Sequence, residues 1–344
     1  MKAVLVGLGM VADTHLRAIA GANVPLAGVM SQDQTKAQAF AKNARDTLGY
    51  VPHVYGSADE IAADPDVGFV ILCTPPNARL ELVKTFAAAG KHILMEKPIE
   101  RDAVAAEAIV EICEAAGVTL GVVLQHRCRE ASQQLAALLA ENAFGDIALA
   151  EISVPWWRDQ SYYDEPGRGT YARDGGGVMI SQAIHTLDLA LSLLGPVDSV
   201  KASAHTTALH DMESEDFVQA SLKFASGTIG AVTCSTASFP GGAETITLHG
   251  TQASVTLGSG RLTVHWRDGR TEDHGAAKAT GGGADPMAFT HAWHQSILTD
   301  FIAAASENRS PVASGRAALQ AQQLIDAMMA SSRTDRTILI SKAQ

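Results

Sequence analysis

Through the first third of the chain, short unbroken apolar runs take turns with longer stretches in which apolar residues recur every three or four positions. The runs at 3–6, 26–30, 69–73, 93–95 and 119–124 predict strands. They do not alternate with polar residues, as expected when helices cover both faces of a sheet. The periodic stretches 79–89 and 103–116 predict helices, and each ends at a glycine, Gly90 and Gly117, able to take the left-handed conformation that closes a helix. Strands and helices in regular succession predict a parallel sheet.

Beyond residue 124 the pattern changes. A helix is predicted at 131–141, a strand at 147–155, and a helix at 178–194 that Gly195-Pro196 stops. From Val200 to Trp266, short β-type runs are separated by Ser226-Gly227 and Pro240-Gly241-Gly242, which predicts an antiparallel sheet. Its apolar alternation offers more sheet surface than the few helices here can cover, so one face is expected to meet another copy of the chain. The glycine-rich stretch 275–285 is expected to be mobile, and the last two helices fall at 292–307 and 316–329. The division expected is an α/β domain at 1–124 and an α+β domain with an open, mostly antiparallel sheet at 125–344.

Composition narrows the function. With 344 residues, 47% apolar and 18% charged, the chain has ordinary globular character and length for two cores. A formal net charge of -11 argues against a nucleic-acid partner, which needs a basic surface. Cys73, Cys113, Cys128 and Cys234 are scattered without a CxxC pair, so no disulfide framework and no metal site are expected. No apolar stretch approaches a membrane span, and the opening run at 3–6 is too short for a signal peptide. A cytoplasmic protein with no membrane partner is expected.

The first strand runs into Gly7-Leu8-Gly9-Met10-Val11-Ala12, and a helix follows. This G-x-G-x-x-A loop has the turn, the close backbone approach and the tight helix packing that a dinucleotide pyrophosphate requires at a helix N-terminus. It makes the first domain a Rossmann fold. NAD-preferring sites place an acid about 20 residues on. Here Ser31 and Gln32 stand at the end of the second strand, and Lys36 follows one turn into the next helix. Serine removes the charge conflict with a 2′-phosphate, so NAD(P) is expected as cofactor with NADP slightly favoured. Thr74, Pro75 and Asn77 form a proline-stiffened loop at the ligand edge of the sheet, and Gln125 follows the last strand at the same edge.

Two stretches carry candidate catalytic chemistry. An apolar strand delivers Glu96-Lys97-Pro98 at its carboxyl end, where a lysine can hydrogen-bond a substrate oxygen and take its proton. The second stretch opens on Gly175-Gly176-Gly177 and carries Ser181, Gln182, His185 and Asp188 near one helical face. Burying four polar groups without partners would be costly, which points to a site, with Asp188 in a structural part. Arg127, Trp157, Arg158, Tyr163, Arg168 and Tyr171 suit a polyhydroxylated small molecule: rings stack on C–H faces and guanidinium groups donate in pairs.

The glycine loop, the run from Ala89-Gly90-Lys91-His92 to Glu96-Lys97-Pro98, and the Gly175-Gly176-Gly177…His185-x-x-Asp188 helix together resemble the Gfo/Idh/MocA oxidoreductase family. The resemblance implies hydride transfer between nicotinamide and a sugar, polyol, inositol or related hydroxy or keto compound. It implies a homodimer or homotetramer built through the second-domain sheet, and Lys97 and His185 as the proton-handling pair. Ser181 departs from the aspartate that inositol-dehydrogenase-like members carry four residues before the histidine. The competing class is a non-catalytic NAD(P)-binding regulatory protein of the same fold; retention of both Lys97 and His185 favours the enzyme.

Overall fold

The computed structural model describes residues 1–276 and 289–340. The stretch 275–285 therefore lies almost wholly outside the described residues. In chain order the elements are β1 (Lys2–Val6), α1 (Ala12–Gly21), β2 (Leu26–Met30), α2 (Gln34–Leu48), β3 (His53–Val54), α3 (Ala58–Ala63), β4 (Val67–Leu72), α4 (Arg79–Ala88), β5 (His92–Met95), α5 (Ala103–Ala115) and β6 (Leu120–Val122). There follow α6 (Glu130–Ala140), β7 (Ile147–Pro155), α7 (Gln160–Tyr163), α8 (Ile184–Leu194), β8 (Val197–His205), β9 (Phe217–Phe224), β10 (Ile229–Ser235), β11 (Thr245–Gly250), β12 (Ala253–Gly258), β13 (Arg261–Trp266), β14 (Thr271–His274), α9 (Ala292–Glu307), α10 (Gly315–Thr334) and β15 (Ile338–Leu339). Among the described residues, no helix is long and apolar enough to cross a membrane.

The chain divides into two compact units, one of Met1–Gln125 with Thr290–Leu319 and one of His126–Phe289 with Gln320–Gln344. In the first, six parallel strands lie in the order β3-β2-β1-β4-β5-β6. The order reverses between β1 and β4, and such a switch point opens a crevice at the carboxyl ends of the strands. The central strands are buried almost throughout, including Leu5, Phe69, Ile71 and Leu94, which explains their unbroken apolar runs. Gly90 and Gly117 take φ of +69° and +66° after α4 and α5, as their helix-closing positions require. α9 packs in this unit: Phe301 meets Phe69 at 5.5 Å between ring centroids, and His294 lies edge-on to His15 of α1.

The second unit is built on a nine-stranded sheet in the order β14-β13-β12-β11-β7-β10-β9-β8-β15. Every pairing is antiparallel except β7 with β10. One face buries Val218, Leu222, Val232, Ile246, Leu248 and Val255, and α6 and α8 contact this sheet. The rows facing the other way are mostly polar, with Gln219, Ser221, Lys223 and Thr233 exposed and Thr247 and His249 half-buried. That face is open, as the alternation predicts, but it is not apolar.

Candidate active site

The first unit gathers its candidates at the strand ends. Gly7 has φ of +90°, and a Cβ there would lie 2.8 Å from the Cys73 carbonyl carbon and from the Thr74 amide nitrogen. A side chain would push the β1 and β4 loops apart. Nothing lies within 4 Å of where a Gly9 Cβ would be, so the loop backbone is open to a ligand. α1 starts after Val11 with no side-chain cap, which leaves its first N–H groups for an anion. Thr74 Oγ1 and Gln125 Oε1 are buried with no hydrogen-bond partner among the described residues. Orphaned polar atoms at the carboxyl ends of the strands, with Thr74 next to the open glycine loop, fit a polar ligand such as a dinucleotide.

At the β2 end, Ser31 Oγ accepts from the Asp33 N–H, and Asp33 caps α2 by accepting from the Lys36 N–H. The acid nearest the expected ribose position is thus spent as a helix cap. Gln32 and Lys36 are exposed, as are Pro75 and Asn77 on the β4 loop.

Glu96 closes β5 and is buried. Its Oε1 accepts from His15 Nε2 at 2.8 Å, and its Oε2 accepts from the Lys97 backbone N–H at 3.2 Å. Burial works against charge on His15, but the Cys73 sulfur and the Glu96 carboxylate outweigh it and hold the imidazole at about 10. Burial likewise opposes ionisation of Glu96, yet His15 and His294, whose Nε2 lies 3.7 Å from Oε1, keep its carboxyl well below the usual range. The ligating atoms of these three groups lie within 4.8 Å of one another, and His15 Nε2 already meets the Glu96 carboxylate. Lys97 follows, half-buried, directly after this anchored carboxylate.

In the second unit, Met179–Ala183 forms a π-helical turn that leads into α8. Gly177 makes the approach possible: a Cβ there would lie 1.8 Å from the Glu215 carbonyl oxygen. Glu215 accepts from the N–H groups of Gly177 and Met179, so a buried carboxylate caps the helix that carries His185. Asp188, fully buried one turn beyond His185, accepts from Arg127 Nε at 2.7 Å and Nη2 at 2.6 Å. Burial raises the Asp188 carboxyl, and Arg127 pulls it back. The structural part expected of Asp188 matches this geometry, whereas Arg127, expected at the substrate, commits two donors to the helix.

The His185 ring stacks on His126 at 5.0 Å and 25°. Arg129 donates to His126 Nε2 and to Glu244 Oε1, and Trp156 Nε1 donates to the other Glu244 oxygen. Tyr162 Oη accepts from Arg168 Nη1 at 3.1 Å and from Gln182 Nε2 at 3.3 Å. Gln182 Oε1 is buried without a partner among the described residues. Arg158 lies beside the Trp156 and Tyr162 rings, and Tyr163 Oη pairs with Thr236. Trp157 is half-buried against Phe239 and His210, Ser181 is half-buried, and Tyr171 is exposed. Within this loop Tyr162 joins Arg168 and Arg158 to Gln182, while Trp157 and Tyr163 pack on His210 and Tyr171 is exposed.

His15, Arg129, Glu215, Glu244 and His294 were not legible as site residues, whereas His126 stands in the Gln125-His126-Arg127 stretch that follows the last strand of the first sheet. Of the former, only His15 carries a local signal: it stands one turn after Ala12 on the buried face of α1.

The fold and these constellations define an oxidoreductase with a dinucleotide-binding Rossmann unit and an open-sheet second unit. Residues 1–124 match the oxidoreductase family with the NAD-binding Rossmann fold, and residues 132–256 match the GFO/IDH/MocA C-terminal domain. The chain belongs to the Gfo/Idh/MocA family. It is 28% identical to inositol 2-dehydrogenase of Rhizobium meliloti (strain 1021) over 98% of each chain. It is 27% identical to D-apiose dehydrogenase of Paraburkholderia graminis, over 98% of this chain and 89% of that one. The WlbA dehydrogenase of Bordetella pertussis, solved with NADH and UDP-GlcNAcA, superposes with a TM-score of 0.82 at 26% identity, covering 100% and 99% of the two chains.

Proposed function

We propose that this oxidoreductase acts on a carbinol or carbonyl carbon of a sugar, polyol or inositol, with Lys97 and His185 handling the proton. The observation that carries the reading is the anchored Glu96-Lys97-Pro98 segment at the carboxyl end of β5, beside an open glycine loop. When bound, nicotinamide accepts or gives the hydride. An alcohol that loses hydride becomes a carbonyl only if its hydroxyl proton leaves as well, so a base must reach that oxygen. Lys97 is the base, and His185, whose ring stacks on His126, is the second group that the family resemblance assigns to the proton.

On the cofactor side, the backbone of Gly7, Leu8, Gly9, Met10 and Val11 takes the pyrophosphate, and Ser31, Gln32 and Lys36 take the ribose or its 2′-phosphate. Thr74, Pro75, Asn77, Glu96 and Gln125 line the rest. NADP is used at least as well as NAD. On the substrate side, Gln182, Ser181, Trp157, Arg158, Tyr163 and Arg168 offer the polar and aromatic groups that a polyhydroxylated molecule needs. The inositol and apiose enzymes among the relatives support that substrate class. The protein is cytoplasmic and assembles through the open polar face of the nine-stranded sheet.

The experiment is a panel of inositols, polyols and aldoses with NAD and NADP, followed at 340 nm. Cofactor reduction with at least one of them supports the reading. Tight cofactor binding with no turnover, on this panel and in the reverse direction with the ketoses, favours a regulatory protein instead. Light scattering that shows a monomer at micromolar concentration contradicts the assembly.

A further inference from the structure

Beyond the Glu96 N–H, which donates to the Leu72 carbonyl, the chain leaves the β5 ladder. The carbonyls of Glu96, Pro98 and Ile99 then take their bonds from one side chain, the guanidinium of Arg79. The same guanidinium donates from Nε at 3.0 Å and Nη2 at 2.7 Å to the Thr74 carbonyl on the β4 loop. Arg79 opens α4 and is 2% exposed. Among the described residues its hydrogen bonds all end on backbone carbonyls, from two loops, and those on the second loop bracket Lys97.

A buried arginine is a costly way to fill space, since an apolar side chain of similar volume packs without desolvating a charge. Burial pulls its guanidinium down to about 10, and Glu96, Cys73 and Glu100 oppose that fall. Its forked donors do what an apolar side chain or a lysine cannot: they hold several carbonyls in one plane from a fixed point.

We infer that Arg79 is a positioning residue for the reaction, a clamp that fixes the Glu96–Ile99 backbone and so sets where the Lys97 amine reaches. The inference rests on Lys97 being the proton-handling group. Through Thr74 the clamp also ties that segment to the loop proposed to line the cofactor.

The test compares Arg79→Lys, Lys97→Met and the double variant, with the wild-type holoenzyme as reference. A displacement of about 1 Å at a catalytic group costs up to about 100-fold in rate. Folded Arg79→Lys is therefore expected to lose about 10- to 100-fold in kcat. KM and the dissociation constant for NADH, read by fluorescence, should change less than about fivefold. On the Lys97→Met background, Arg79→Lys should cause no further loss, because the group it positions is gone. Where Arg79→Lys does not yield folded protein, Arg79→Gln, which keeps two donors, takes its place in the same cycle. A lowered melting temperature with kcat unchanged overturns the inference and makes Arg79 a support of the fold alone. Additive losses in the double variant also overturn it. Near-native turnover in Lys97→Met defeats the underlying assignment of Lys97, an outcome that the single variant separates from a failure of the clamp.

Discussion

His15 Nε2 lies 2.8 Å from Glu96 Oε1, a buried ion pair that joins the first helix to the end of the fifth strand. Its two members shift in opposite directions with pH. His15 is raised above its ordinary 6.5 to about 10, so its contribution to stability is complete below pH 6.5 and fades toward 10. Glu96 is held well below 4.5, so its share is complete above pH 4.5 and is lost in acid. His15→Gln leaves a buried carboxylate without its charge partner and should cost about 3–5 kcal/mol. Thermal melts over a pH series check this. The gap between wild type and variant should be widest between about pH 4.5 and 6.5 and close toward pH 10.

Arg127 and Asp188 make the corresponding pair in the second unit. Arg127→Ala strands the fully buried Asp188 carboxylate on α8, and the expected loss is again about 3–5 kcal/mol. If Arg127 serves the helix rather than the substrate, the melting temperature drops while KM of the folded fraction changes less than about threefold. A large rise in KM at unchanged stability would return Arg127 to the substrate site.

Ser31 is the residue proposed to set the choice of cofactor. Ser31→Asp places a carboxylate where a 2′-phosphate would lie, and NADP binding should weaken at least about tenfold, or ~1.4 kcal/mol. NAD binding should hold or improve. Fluorescence titration of both cofactors decides it, and a strong NAD preference in the wild type contradicts the NADP reading.

Much of the fold was legible because burial writes itself into local pattern. β2, β7 and α9 match the apolar runs residue for residue. β3 was missed because two residues carry no periodicity. The predicted strand at 119–124 shortens to Leu120–Val122, where the chain turns into a 3-10 turn over Gln125–Cys128. The helix predicted at 178–194 begins as a π turn over Met179–Ala183, and Glu215, distant in sequence, accepts from the N–H groups of Gly177 and Met179. The return of Thr290–Leu319 to the first unit has no local signature either.

The site divides in the same way. Gly7, Gly9, Lys97 and His185 stand in motifs, and their spacing along the chain marks them as candidates. Arg79, Glu244 and His294 act by meeting residues far away in sequence, on Glu96, Arg129 and Glu96 again, and nothing in their own neighbourhoods marks them. Ser181 lies in the same motif as His185 and is half-buried.

Lys97→Met, assayed at 340 nm on a substrate that the wild type turns over, tests the central claim most directly. Removing a general acid–base group costs about 10²- to 10⁴-fold in kcat. That loss is expected here with the NADH dissociation constant nearly unchanged, and His185→Ala should show a smaller or comparable one. Near-native turnover in Lys97→Met would contradict both the mechanism and the location of the site.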